Sequence, residues 1–214
     1  MIIQTLTQLS QTDLERLTEG YTSSHAYRVM KTETDETTGL HLQLRSLETP
    51  YRKRFEPDDP GEYDRYCGYL RHGMSLGLFA GDRLEGLAIA EPVLWNKTLW
   101  IWEFHLSPEY QGKGWGRRMM EELARRATGA GLRIMVCETQ NTNVPAIRFY
   151  RKVGFTLDGI DLSYYSNDAA PDGEVAVFMK RRLDRSPCPD DPFTRKEPAP
   201  ETADEVRRRH ESNR

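Results

Sequence analysis

The sequence predicts an α/β protein built around a strand, a crossover helix and a second, parallel strand. Three stretches lead there. Leu99 to Leu106 is an aromatic-rich strand run, and Gly116 to Thr128 carries Met119, Met120, Leu123 and Ala127 at helical spacing. Leu132 to Cys137 is a short, nearly continuous apolar run of the kind a strand shows when both its faces are covered, and Gly129 and Gly131 stop the helix before it.

The other elements follow from the same periodicities. Met1 to Leu6 reads as a strand, and a helix starts at Ser10, whose hydroxyl can cap it with Asp13 in the first turn. Tyr27 to Met30, Leu40 to Leu47 and Ser75 to Ala80 read as strands, with a polar excursion from Pro50 to His72 between the last two that a helix or a loop would fit. Gly81-Asp82 marks a hairpin turn into a strand from Leu84 to Ala90.

With 214 residues, 37% of them hydrophobic, the chain can bury one core, which is expected over residues 1–184. Beyond it, five prolines among polar residues and seven basic against seven acidic side chains predict a flexible, Pro/charge-rich extension over 185–214. No run approaches the ~20 apolar residues of a membrane helix, and the first dozen residues have no leader pattern, so no membrane partner and a cytoplasmic location are expected. Cys67, Cys137 and Cys188 share no metal-ligand spacing, and no metal is expected. A net charge of -3 disfavours nucleic acid and suits a cationic partner.

The segment Gln111-Gly112-Lys113-Gly114-Trp115-Gly116 lies where strand passes to helix. Three glycines without Cβ atoms let successive N–H groups converge on an anion, and the helix start adds partial positive charge, a geometry suited to a pyrophosphate. GxxxxGK[ST] is absent, and Arg117 stands at the last required glycine of GxGxxG, so neither nucleotide template matches. A glycine turn that merely permits tight strand-to-helix packing accounts for the same residues. The pattern Q-x-x-G-x-G before a helix resembles the acyl-CoA signature of the GNAT superfamily of N-acetyltransferases.

A second motif runs from Asn143 to Phe155. Asn143 is a good N-cap, Pro145 falls in the first turn and Gly154 can end the helix. Ala146, Phe149, Tyr150 and Val153 share one face, which makes Tyr150 either a core aromatic or a groove residue. Asn143 and Tyr150, seven residues apart, share a face and can line one groove. The stretch resembles the GNAT pattern N-x-x-A-x-x-F-Y-x-x-x-G-F at every fixed position.

That resemblance implies a mixed, mostly antiparallel sheet whose parallel middle strands splay, with acetyl-CoA as co-substrate. It places the pyrophosphate on Gln111 to Arg117, and the pantetheine arm along Phe104, His105 and Leu106 and against Asn143. Tyr150 would protonate the departing thiolate. Its phenol, with a pKa near 10, suits a leaving group of similar basicity. For the base Glu103 is the first choice and Glu138 the second, with His105 a further candidate; a glutamate at 103 serves equally as an electrostatic anchor for a cationic substrate.

The run from Cys137 to Asn143, then Phe149-Tyr150, Gly154-Phe155 and Asp161 to Tyr165, resembles the streptothricin acetyltransferases, as do Leu47 to Tyr51, Trp95-Asn96 and Glu174 to Phe178. A small cationic amine is the implied acceptor, with Glu103, Glu138, Asp161 and Tyr164 as pocket residues. Trp102 precedes Glu103 where that group places two adjacent acids. Other amines, namely a polyamine, an aminoglycoside or a protein amino group, stand as alternatives, as does a non-catalytic acyl-CoA-binding module. A monomer or a homodimer is expected.

Overall fold

Continuous apolar strands whose side chains alternate in direction build a sheet covered on both faces. The computed structural model describes residues 1–55, 61–167 and 173–183; the expected boundary at 184 and the extension beyond it lie outside the described residues. In chain order the elements are β1 (Ile2–Thr5), α1 (Gln11–Leu17), β2 (Gly20–Glu33), β3 (Thr38–Arg54), α2 (Glu62–Leu70), β4 (Leu76–Ala80) and β5 (Arg83–Val93). They continue with β6 (Thr98–Leu106), α3 (Trp115–Gly129), β7 (Ile134–Gln140), α4 (Val144–Lys152), β8 (Thr156–Asp161) and β9 (Ala176–Arg182). Among the described residues seven strands form one sheet in the order β1-β4-β5-β6-β7-β9-β8, and β2 pairs with β3 in a separate two-stranded ribbon.

The period of two is visible in β5. Leu87 and Ile89 point to one side, into a cluster with Leu14 and Leu17 of α1 and Tyr66 and Leu70 of α2. Ala88 and Ala90 point to the other, into the larger cluster with Met119, Met120 and Leu123 of α3 and Ile147 of α4. Helices on both faces explain why central strands read as continuous apolar runs rather than alternating ones. Ser10 caps α1 as expected, its Oγ accepting from the Asp13 N–H at 3.1 Å.

The ribbon is the main departure from the expected elements. Two short strands at Tyr27–Met30 and Leu40–Leu47 are in fact parts of a 14-residue and a 17-residue strand, and β3 runs through Arg54 into what reads as a polar excursion. Exposure accounts for the difference: most of β3 faces solvent, so only fragments carry the alternation that marks a half-buried strand. Asn141 fastens the ribbon to the sheet. Its Nδ2 donates to Tyr27 O at 2.7 Å, its backbone O accepts from the Tyr27 N–H at 3.0 Å, and its Oδ1 accepts from the Val175 N–H at 2.9 Å.

Two irregularities in β6 shape everything that follows. First, β6 pairs in parallel with β7 only from Thr98 to Ile101, against Ile134 to Cys137; beyond that the two strands diverge. Second, opposite β5 the register passes from Ala90↔Ile101 to Ile89↔Glu103, so Trp102 is the extra residue of a β-bulge. Trp102 stacks on Tyr69 of α2 with ring centroids 5.6 Å apart and donates its indole N–H to Glu91 at 3.0 Å. The bulge increases local twist just where the parallel ladder ends, and the strands part there.

Candidate active site

Where β6 and β7 part, a cleft of about 910 Å³ opens between them. Its floor and walls come from Trp102 to His105 of β6, from Glu138 to Gln140 of β7, and from Asn143, Ala146 and Tyr150 of α4. The base of the ribbon adds Lys53, Arg54 and Phe55, α2 adds Glu62 and Tyr66, and Tyr165 closes one side. Of the residues expected from sequence, Glu103, Phe104, His105, Glu138, Asn143 and Tyr150 therefore meet in one cavity.

Glu103 is fixed at both oxygens. Tyr66 donates its hydroxyl to Oε1 at 2.7 Å, and His105 Nε2 lies 2.6 Å from Oε2. Burial, then the adjacent carboxylate, push the Tyr66 phenol far above its ordinary range, so it stays a donor. On the opposite wall Glu138 accepts a hydrogen bond from the Tyr165 hydroxyl. Burial dominates its titration, and the Glu103 and Glu174 charges reinforce it, raising the carboxyl to about 7 against the opposing effects of the Tyr165 hydrogen bond and Lys53.

Tyr150 is 7% exposed, and both readings of it are realised: it belongs to the large core cluster and it lines the cleft. Burial, then the neighbouring Cys137 thiol, hold its phenol well above the usual range. Asn143 caps α4, its Oδ1 accepting from the Ala146 N–H at 3.2 Å. Only the carboxamide oxygen is spent this way, which leaves its two N–H donors for the cleft.

The glycine segment enters α3 directly. Gly112 and Gly114 adopt φ of +70° and +85°, values that L side chains avoid, and Gly114 is the N-cap of α3. The first bond of the helix runs from the Arg118 N–H to Gly114 O at 3.1 Å. The N–H groups of Trp115, Gly116 and Arg117 therefore have no acceptor within the helix, and the glycine cap supplies no side-chain oxygen. Asn143 fills the equivalent role at α4, so the two helix starts differ in kind: one is self-capped and one is open to an anion.

Gly116 serves a different purpose. A Cβ there would stand 3.1 Å from Leu106 Cδ1 and 3.1 Å from Phe149 Cε2, so this glycine permits close strand-to-helix packing. The two accounts of the glycine motif thus apply to different residues. Gln111 ties the segment back to β6 by donating Nε2 to Leu106 O at 2.8 Å. Lys113 lies over the Tyr110 ring at 5.9 Å, and Arg118 over Trp115 at 4.7 Å.

Asp161 and Tyr164 do not line the cleft. Asp161 accepts from the Ser163 N–H at 3.0 Å within its own turn, and Tyr164 packs edge-on against Phe178 and Tyr165. Tyr165 occupies the cleft instead. Tyr66 and Lys53 had no motif to announce them, and Gln140 and Tyr165 lie inside stretches that carry the family resemblance without being among the expected pocket residues. Tyr66 shares the buried face of α2 with Leu70, so its helical spacing reads as core, and Tyr165 follows the end of β8, where no strand alternation separates it from its neighbour. Among the described residues no group of His, Cys, Asp and Glu is arranged to hold a metal ion, and no helix is long and apolar enough to cross a membrane.

Residues 41–155 match the model of the acetyltransferase (GNAT) family. The streptothricin acetyltransferase of Streptomyces lavendulae is 32% identical over 182 residues, covering 82% of this chain and 89% of that protein. The [ribosomal protein bS18]-alanine N-acetyltransferase of Salmonella typhimurium is 32% identical over 146 residues, covering 68% and 90%. The crystal structure of nourseothricin acetyltransferase superposes with a TM-score of 0.63 at 30% identity, over 81% of this chain and 92% of that one.

Proposed function

The chain belongs to the GNAT family of acetyltransferases and is an N-acetyltransferase; from that premise we propose that it moves the acetyl group of acetyl-CoA to a primary amine of a small cationic acceptor of the streptothricin class. The observation that carries the reading is the cleft itself: two strands part beside an anion-ready helix start, and carboxylates stand on both walls.

Acetyl-CoA supplies an activated acyl group and a pyrophosphate. The N–H groups from Gly112 to Arg117 receive the pyrophosphate, with Gln111 holding the loop against β6. Past Ile101 the edge of β6 that faces β7 has lost its ladder partner, so backbone groups of Phe104 and Leu106 can pair with the amides of the pantetheine arm, and Asn143 adds a side-chain donor. A backbone N–H of the same edge stabilises charge on the carbonyl oxygen.

Glu138 takes a proton from the acceptor's ammonium, and the neutral amine this frees attacks the thioester carbonyl. A carboxyl at about 7 is half-ionised near neutrality and strong enough as a base to hold that proton. Glu103, engaged by Tyr66 and His105, acts as the fixed anionic anchor that keeps the cationic acceptor in place. Tyr150 remains protonated throughout the physiological range and donates to the departing sulfur. Tyr66 and Tyr165 supply the aromatic surface that favours a cation over a neutral amine.

The test is release of free CoA thiol from acetyl-CoA with streptothricin, a polyamine, an aminoglycoside and a peptide with an N-terminal alanine. The expected result is a kcat/KM for streptothricin at least tenfold above the others. Preference for the peptide would overturn the small-molecule reading, in keeping with the bS18-alanine N-acetyltransferase relative.

A further inference from the structure

Glu138 is held by a short chain of hydrogen bonds that leaves β7 at Gln140, passes through Tyr165 and returns to β7. Tyr165, on the segment that follows β8, donates its hydroxyl to Glu138 Oε1. Gln140, two residues along β7 from Glu138, donates Nε2 to the same phenolic oxygen at 3.0 Å. A carboxamide N–H can only donate, so the phenolic oxygen accepts from Gln140 and its proton is turned toward Glu138. Lys53 Nζ stands 5.7 Å from the centre of the Tyr165 ring, and Tyr164 packs edge-on against it at 5.1 Å, which keeps the ring in place.

We propose that Gln140 and Tyr165 are positioning residues for Glu138: Gln140 orients the phenol, the phenol holds Oε1, and Oε2 is left to take the proton of the acceptor amine. This rests on the reading of Glu138 as the base. The charged and titratable groups facing Glu138 are Glu103 from β6, Lys53 from β3, Glu174 from the segment before β9, Tyr150 from α4, and Tyr164 and Tyr165. Burial and the two neighbouring carboxylates oppose ionisation of Glu138, whereas the Tyr165 hydrogen bond favours it. Removing that bond therefore raises the pH at which Glu138 loses its proton.

The experiment compares wild type, Tyr165→Phe, Gln140→Leu and Glu138→Gln. One measurement is a carbon-13 carboxyl NMR titration, with the Glu138 resonance assigned by its loss in Glu138→Gln; the other is the acid limb of kcat/KM against pH. Tyr165→Phe is expected to move both midpoints upward by about one pH unit, the scale of one hydrogen bond to a charged group, with KM for acetyl-CoA unchanged. Gln140→Leu moves them the same way by less. An NMR midpoint unmoved or lowered in Tyr165→Phe overturns the relay whatever the activity. A Glu138→Gln enzyme that keeps its acid limb instead overturns the base assignment on which the relay depends.

Discussion

Replacing Gly114 with alanine separates the two jobs of the glycine segment. At φ +85° nothing lies within 4 Å of the position a Cβ would take, so the substitution meets no clash and its cost is conformational. Keeping a non-glycine residue in the left-handed region costs about 1–2 kcal/mol. For a chain of this size that lowers Tm by roughly 2–8 °C. Relaxing to negative φ spares that cost but turns N–H groups away from the anion. Loss of one hydrogen bond to a charged phosphate, about 1.5–3 kcal/mol, weakens CoA binding roughly ten- to hundredfold. Gly116→Ala should do the reverse, because its Cβ would press on Leu106 and Phe149 at 3.1 Å. Overpacking of that kind costs about 1–3 kcal/mol of stability and leaves the N–H groups of the loop where they are. Titration calorimetry with CoA and thermal melts without ligand read the two effects independently. If Gly114→Ala binds CoA like wild type while Gly116→Ala loses binding, the segment serves packing alone and the anion argument fails.

Three further outcomes follow from the cleft. Tyr150→Phe should lower kcat by roughly a hundredfold, the scale of a single general acid, with little change in KM for acetyl-CoA; an unchanged kcat in single-turnover and steady-state assays would remove it as proton donor. Glu138 has a folded-state value of about 7 against an ordinary 4.5, so the folded protein binds the proton more tightly than the unfolded chain does. Its contribution to stability is thus present below about pH 4.5 and is lost as pH rises through about 7. Melting temperature against pH should show that decline in wild type and a flatter line in Glu138→Gln, while wild-type kcat/KM rises over the same interval as the base ionises. Asn143→Asp keeps the oxygen that caps α4 but removes both amide donors. The melt should stay within about 2 °C of wild type, since Asp caps as well as Asn, and KM for acetyl-CoA should rise; a large loss of stability with unchanged KM would make Asn143 a cap only.

Elements defined by local chemistry were readable from the chain. Ser10 and Asn143 cap the helices they were expected to cap, and the strand, helix and strand from Thr98 to Gln140 lie where the 2.0 and 3.6 periods put them. What escaped depended on distance in sequence. Asn141 and Tyr27, 114 residues apart, bind the ribbon to the sheet, and no local period records that. Trp102 reads as one more aromatic in a strand, since a bulge is defined by the partner strand rather than by its own residues. Glu103 lines the cleft, and its engagement by Tyr66 depends on α2 packing against β5, which no local pattern records. Tyr164 and Tyr165 are chemically the same residue, and only the path of the chain after β8 decides which one meets Glu138.

An unpaired strand edge is usually a hazard, since it offers its amides to any other chain and invites aggregation. In β6 that edge is exposed only from Trp102 onward, and it lies inside a cavity bordered by α4, the foot of the ribbon and Tyr165. A neighbouring polypeptide would have to bring a whole sheet margin into about 910 Å³, whereas a single thin, flexible molecule can thread it. The fold thereby keeps a sticky surface in permanent readiness for a slender guest while denying it to other proteins.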